Sequence, residues 1–221
     1  MDEELAAVSA VFFTSDTHFL HGMVAGLRGF TDPAEHDELI IERWNKTIRR
    51  DDLVWHLGDV GLGNETRILE IAARLNGRKQ LITGNHDSCW PGNRGARSRQ
   101  RRWFEVFESV QAFARIRIDG RPVLLSHFPY YGDHTALDRH SQYRLKDQGA
   151  WLLHGHTHSR EKLGPFMLPI VTFDAEPVYQ GRQLHVGVDA WDLQPVSEAV
   201  VLAQIRMHEE NCRPPTSPLV P

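Results

Sequence analysis

Apolar and polar positions follow two periods along this chain, and the switches between them mark its elements. The run SAVFFTSD, residues 9–16, is short, apolar and closed by polar residues, which predicts a buried strand. Asp32-Pro33 then supplies a cap and a first-turn proline, with Glu35 three residues after the cap. Leu39, Ile40, Trp44 and Ile48 follow at helical spacing, so 33–48 reads as an amphipathic helix. DLVWHLGD (52–59) predicts a second strand. Asn64 opens a helix with Ile68, Leu69, Ala72 and Leu75 on one side, and Asn76-Gly77 ends it. RKQLITGNHD (78–87) predicts a third strand. The order β-α-β-α-β implies a parallel sheet with crossover helices.

Residues 88–102 read as a Gly/Arg-rich connection, with a short helix expected around 103–110. FARIRID, a turn at Asp119-Gly120 and RPVLLSHF predict a hairpin. The polar stretch 130–149 has no clear period and is long enough to be functional. WLLHGHTH predicts a strand entering a loop, QLHVGVDAW a late strand, and SEAVVLAQIRMHEE a closing helix. Trp44, Trp55 and Trp191 read as core. The expectation is one domain over 1–211 and a disordered proline-rich tail at 212–221.

Composition narrows the class. Of 221 residues, 41% are hydrophobic and 24% charged, the balance of an ordinary soluble domain. The net charge of −4 means that nucleic-acid contact would need a local basic patch. Cys89 and Cys212 are too few and too far apart for a disulfide framework, which fits a reducing cytoplasm. The opening MDEELAAVSAVFF is acidic before its apolar run, unlike a secretory signal, and no stretch is long enough to span a bilayer. A cytoplasmic protein without a membrane partner is therefore expected. The unusual count is histidine, 13 in all.

Those histidines gather at strand ends. The first strand closes on Asp16-Thr17-His18, the second on Gly58-Asp59, and the third on Gly84-Asn85-His86-Asp87. The hairpin closes on Ser126-His127, and the next strand on Gly155-His156-Thr157-His158. Carboxyl ends of parallel strands converge on one crevice. Carboxylates, an amide oxygen and imidazoles meeting there suit divalent ions such as Mn, Fe, Zn or Ni. Residues separated by one point the same way in an extended strand, so Asp16/His18 and His156/His158 are each placed to serve one cluster. The same period puts His154 behind them as a hydrogen-bonding support.

In this order the blocks D-x-H, G-D, G-N-H-[DE], H and G-H-x-H resemble the calcineurin-like metallophosphoesterase superfamily, from about Phe12 to His158. VGVDAWDLQPVS resembles the C-terminal strand region of its small bacterial and phage members. The resemblance implies a four-layer αββα sandwich of two mixed sheets flanked by helices. It implies two divalent ions, manganese first among the choices. Asp16, His18 and His158 resemble ligands of one ion, and Asn85, His127 and His156 ligands of the other. Asp59 resembles the shared carboxylate, and His86 the catalytic histidine. The implied reaction is in-line attack on a phosphate ester by a hydroxide bridging the ions.

Several positions keep two readings. Asp87 either orients a histidine or caps its turn. His21 either touches substrate phosphate or has no role. Asp189 either supports a ligand histidine or serves a turn. The basic run at 93–102 is either a solvated loop or an anion funnel, in which Arg94 and Arg97 would meet substrate. Trp103 and Phe104 either stack on a base or join the core. In several branches the third residue after the shared Asp orients the catalytic histidine; here it is Leu62, so the orienting group is either missing or comes from elsewhere, Asp87 or 130–149. A phosphodiester is the expected substrate, including a nucleotide or nucleic acid. The rivals are a phosphomonoesterase or nucleotidase, and a non-catalytic scaffold.

Overall fold

The structure is a computed structural model that describes residues 9–133, 135, 139–163 and 181–211. The predicted tail at 212–221, Cys212 and His134 lie outside them.

The first sheet has the order β4-β3-β2-β1-β9. Strands β1 (Val11–Thr14), β2 (Leu53–His56), β3 (Arg78–Ile82) and β4 (Ser109–Gln111) run parallel, and β9 (Val196–Ser197) is antiparallel to β1. Helix α1 (Gly22–Leu27) and helix α2 (Pro33–Thr47) connect β1 to β2, and α3 (Glu65–Ala73) connects β2 to β3. The Asp32 and Asn64 side chains cap α2 and α3 as their spacing predicts. The second sheet, β5-β6-β7-β8, joins the hairpin β5 (Phe113–Ile118) and β6 (Arg121–Ser126) to β7 (Trp151–His154) and β8 (Gln183–His185). Helix α5 (Glu198–Asn211) closes the described chain.

Alternation along the strands builds two cores. Phe12, Val54 and Leu81 face Ile40, Trp44, Ile68 and Leu69 of α2 and α3. Phe13, Leu57 and Ile82 point the other way, into Val123, Leu125, Leu153 and Leu184 of the second sheet. Val201 and Ile205 of α5 join that second cluster. The chain thus forms two mixed sheets flanked by helices, as expected. Among the described residues no helix is long and apolar enough to cross a membrane.

Three local expectations change. The basic run is not a connection: residues Ala96–Trp103 form helix α4, and the helix expected at 103–110 gives way to turns and β4. Arginine is a good helix former, and burial of Ala96 and Trp103 gives α4 an inner face. Trp103 is core and donates from Nε1 to Ser88 at 3.0 Å, whereas Phe104 is exposed. Helix α1 was not foreseen; the His21 ring caps it by accepting from the Val24 N–H at 3.3 Å. Trp44 and Trp191 are buried, and Trp55 is half-buried.

Candidate metal centre

The site begins where the strands stop. Asp16 and His18 follow β1, Asp59 follows β2, Asn85 and His86 follow β3, His127 follows β6, and His156 and His158 follow β7. Asp16, His18, Asp59, His156 and His158 are not extended: their φ angles are 56°, 49°, 56°, 70° and 48°. This left-handed backbone costs L-residues roughly 1–2 kcal/mol each. It also breaks the period-two expectation at His156/His158. Asp16 and His18 do share a cluster, with His158; His156 turns instead to Asp59 and His127. These two trios are the groups among the described residues able to hold a cation.

Asp59 belongs to the second trio and also reaches the first. Its Oδ2 is 3.7 Å from Nε2 of His18, 3.3 Å from Nε2 of His127 and 4.0 Å from Nε2 of His86. Its Oδ1 accepts from the His86 N–H at 2.9 Å. Close backbone approach makes this possible: a Cβ on Gly84 would sit 2.2 Å from Asp59 Oδ1. A Cβ on Gly155 would likewise sit 2.4 Å from Asp16 Oδ2. That oxygen accepts from Ser15 Oγ at 2.5 Å and from the His156 N–H at 3.0 Å.

A few buried polar atoms of these residues have no hydrogen-bond partner in the protein. Nε2 of His127, Oδ1 of Asn85 and Nδ1 of His18 are buried without a hydrogen bond, a costly state unless something else satisfies them. Nε2 of His18 and of His158 face each other at 3.1 Å. Carboxylate and imidazole donors so arranged fit divalent ions. The electrostatics agree. Burial opposes ionisation of Asp59, yet His127, His18 and His86 outweigh it and hold the carboxyl well below its usual range. Burial also lowers His127, but Asp59 more than reverses this and raises it to about 9. His156 is pushed down to about 3 by burial and by His127.

The outer contacts hold some ligands from behind. Nδ1 of His127 pairs with the Leu57 carbonyl at 2.8 Å. Nδ1 of His158 pairs with Asp189 at 3.1 Å, and Asp189 in turn receives two bonds from Arg28, each 2.8 Å. Arg28 also donates to the carbonyls of Asp16 (2.7 Å) and Thr17 (3.2 Å), bracing that loop. Asp87 caps its turn: its carboxylate accepts from the N–H groups of Gly84, Asp59 and Val60 at 2.7, 3.0 and 3.0 Å. Burial and the charge of Asp59 push the Asp87 carboxyl up to about 7. His154 makes no hydrogen bond to a proposed ligand among the described residues. Its Nδ1 lies against the Gly155 carbonyl at 2.8 Å and its ring packs 5.5 Å from His185, because β7 ends there and the alternation ends with it.

Spacing did not reveal Arg28 or Asp133. Asp133, from the polar stretch 130–149, is buried with Oδ2 3.4 Å from Nε2 of His156 and Oδ1 3.0 Å from Arg139. No side chain among the described residues hydrogen-bonds the His86 imidazole. That ring is partly exposed, 5.3 Å from His18 and 6.1 Å from His21. Beside it opens a cleft of about 310 Å³ whose walls include Leu62, Glu65, Asn93, Arg94 and Arg99. Arg97 is not part of that lining.

Strand-end ligand loops above two facing sheets, with paired clusters of cation donors, define a metal-dependent phosphoesterase. The profile of the calcineurin-like phosphoesterase superfamily domain matches residues 10–163, and the chain belongs to that superfamily. It is 42% identical over 200 residues to the Gene 66 protein of Mycobacterium phage D29, covering 86% of this chain and 94% of that one. It is 38% identical over 215 residues to the Gene 66 protein of Mycobacterium phage L5, covering 92% and 98%. The fold is similar to the crystal structure of AQ665, a protein of unknown function from Aquifex aeolicus. That match has a TM-score of 0.62 and 24% identity over 89% of this chain and 100% of that one.

Proposed function

We propose that the chain hydrolyses a phosphodiester with the help of two divalent ions, manganese first among Mn, Fe, Zn and Ni. The observation that carries this reading is that Asp59, a member of the second trio, also brings its Oδ2 within 3.7 Å of His18 Nε2 in the first. Asp16, His18 and His158 would hold one ion, Asn85, His127 and His156 the other, and Asp59 both. When bound, such ions supply Lewis acidity and lower the pKa of water.

The chain's own groups do the rest. Asn85 offers a neutral oxygen, which limits the negative charge of the ligand set. Asp189 and Asp133 fix the ring orientations of His158 and His156. His86 faces the open cleft and donates a proton to the departing oxygen. His21, which caps α1 beside it, stands where a substrate oxygen would pass, and Arg94 lines the adjoining cleft.

The preference for a diester rests on charge. A monoester brings up to two negative charges to the reacting phosphorus and calls for a fixed cation after the shared carboxylate. Gly58-Asp59-Val60-Gly61-Leu62-Gly63 supplies none. The test is Mn²⁺-dependent turnover of bis-p-nitrophenyl phosphate against p-nitrophenyl phosphate at matched pH. The diester should be faster. A clear preference for the monoester would favour the nucleotidase class instead.

A further inference from the structure

The cleft beside His86 shares only that residue with the proposed centre; none of the seven proposed metal ligands lines it. It extends along α4, so a group seated in it belongs to a substituent of the reacting phosphate. Its charge is lopsided. Glu65 in its wall is taken by Arg102 at 2.8 Å and by Ser88 Oγ. Arg94 and Arg99 also line it, are exposed, and make no ion pair or hydrogen bond among the described residues. Two free guanidiniums thus face a space that no nearby carboxylate neutralises. Leu62 and Ile68 add apolar wall to the same cleft.

We propose that Arg94 and Arg99 form a subsite for a second phosphate, carried by the alcohol that leaves. Guanidinium groups bind phosphate through paired charge-assisted hydrogen bonds. The apolar wall suits the carbon skeleton linking the two phosphates, as in consecutive residues of a polynucleotide. This rests on the diester reading and on His86 standing at the leaving oxygen. Hydrolysis joins water oxygen to phosphorus, breaks the bond to the leaving oxygen and returns a proton to that oxygen. The second phosphate takes no part in these bond changes and serves only to hold the departing alcohol.

The experiment compares three dinucleotides with Mn²⁺: TpT, pTpT with a 5′-terminal phosphate, and TpTp with a 3′-terminal phosphate. Each terminal phosphate lies on a different leaving alcohol, so the two arms also reveal which oxygen departs. One phosphorylated form should exceed TpT in kcat/KM by about ten-fold or more, through KM. In Arg94→Gln and Arg99→Gln the ratio of that form to TpT, measured within each variant, should fall toward one. A ratio within one variant is indifferent to any general loss of turnover. Equal kcat/KM for all three substrates overturns the subsite and leaves the diester reading standing, as does a gain that survives both substitutions. Cleavage of none of the three while bis-p-nitrophenyl phosphate is cleaved also overturns the subsite. Failure on every diester overturns the reading and the subsite together.

Discussion

Asp189 and His158 meet at 3.1 Å across 31 residues of sequence, with the carboxylate itself clamped by Arg28. Asp133 meets the other ring nitrogen, Nε2, of His156 at 3.4 Å and is itself paired with Arg139. Each pair fixes one imidazole, and the two imidazoles belong to different trios. Asp189→Asn should therefore weaken binding of the first ion about 10–100-fold, and Asp133→Asn that of the second. Manganese titration against a chelator, read at both sites, checks this. Equal weakening of both sites by either change would show that the two carboxylates do not act separately.

Asp59→Asn should be the most damaging single change. It removes the carboxylate that lies near both trios. Expected are loss of bound metal and of activity, with an unchanged circular dichroism spectrum. A variant that retained two ions and near-normal turnover would remove Asp59 from its bridging place.

His86→Ala should separate chemistry from metal binding. Its ring sits 4.0 Å from Asp59 Oδ2 and opens onto the cleft. Metal content should hold while turnover falls about 10²–10⁴-fold. The fall should be smaller for p-nitrophenyl esters, whose leaving group needs little protonation. Equal losses for good and poor leaving groups would rule out the proton-donor role.

A fourth expectation concerns stability. His56 is buried beneath Trp44; its Nδ1 accepts from the Gly58 N–H at 3.2 Å and its Nε2 pairs with Thr17 at 3.0 Å. That arrangement needs a neutral ring, and burial pushes its pKa down to about 3. The unfolded chain takes up the proton first, near about pH 6.5. Stability from this group is thus full above that pH and is lost as pH falls toward its folded value. The slope approaches about 1.4 kcal/mol per pH unit for one proton. Denaturant unfolding of metal-free protein between about pH 6 and pH 4 should show it, added to the like contributions of His154, His156 and His185, and His56→Gln should lower the slope by about one proton's share. An equally steep decline in the variant would assign the effect to other groups.

The first sheet was legible because its inner strands are short apolar runs closed by polar residues, with Phe12 and Phe13 turned to opposite cores. The strand-end blocks were legible because a parallel sheet brings such ends together. Period counting alone could not divide them into trios, because left-handed residues at 16, 18, 156 and 158 replace the extended geometry it depends on; the family resemblance, by contrast, separates His156 from His158 as the two trios do. Helix α4 was hidden by Pro91, Gly92 and Gly95, which punctuate the chain just before a run of good helix formers. Arg28 and Asp189 lie 161 positions apart, and local pattern carries no trace of a pairing made by the fold.

The three backbone bonds accepted by Asp87 have a consequence for supply. They tie the Asp59 loop to the Asn85 loop through protein atoms alone. The polypeptide itself therefore holds these two loops in register, and loading would resemble filling a socket more than folding around a seed. Selection among ions then falls to ligand chemistry and to what the surrounding medium offers, since most sites of this kind rank divalent ions in the same general order. One polypeptide would run on different ions in differently stocked cells, with its rate set by local metal economy.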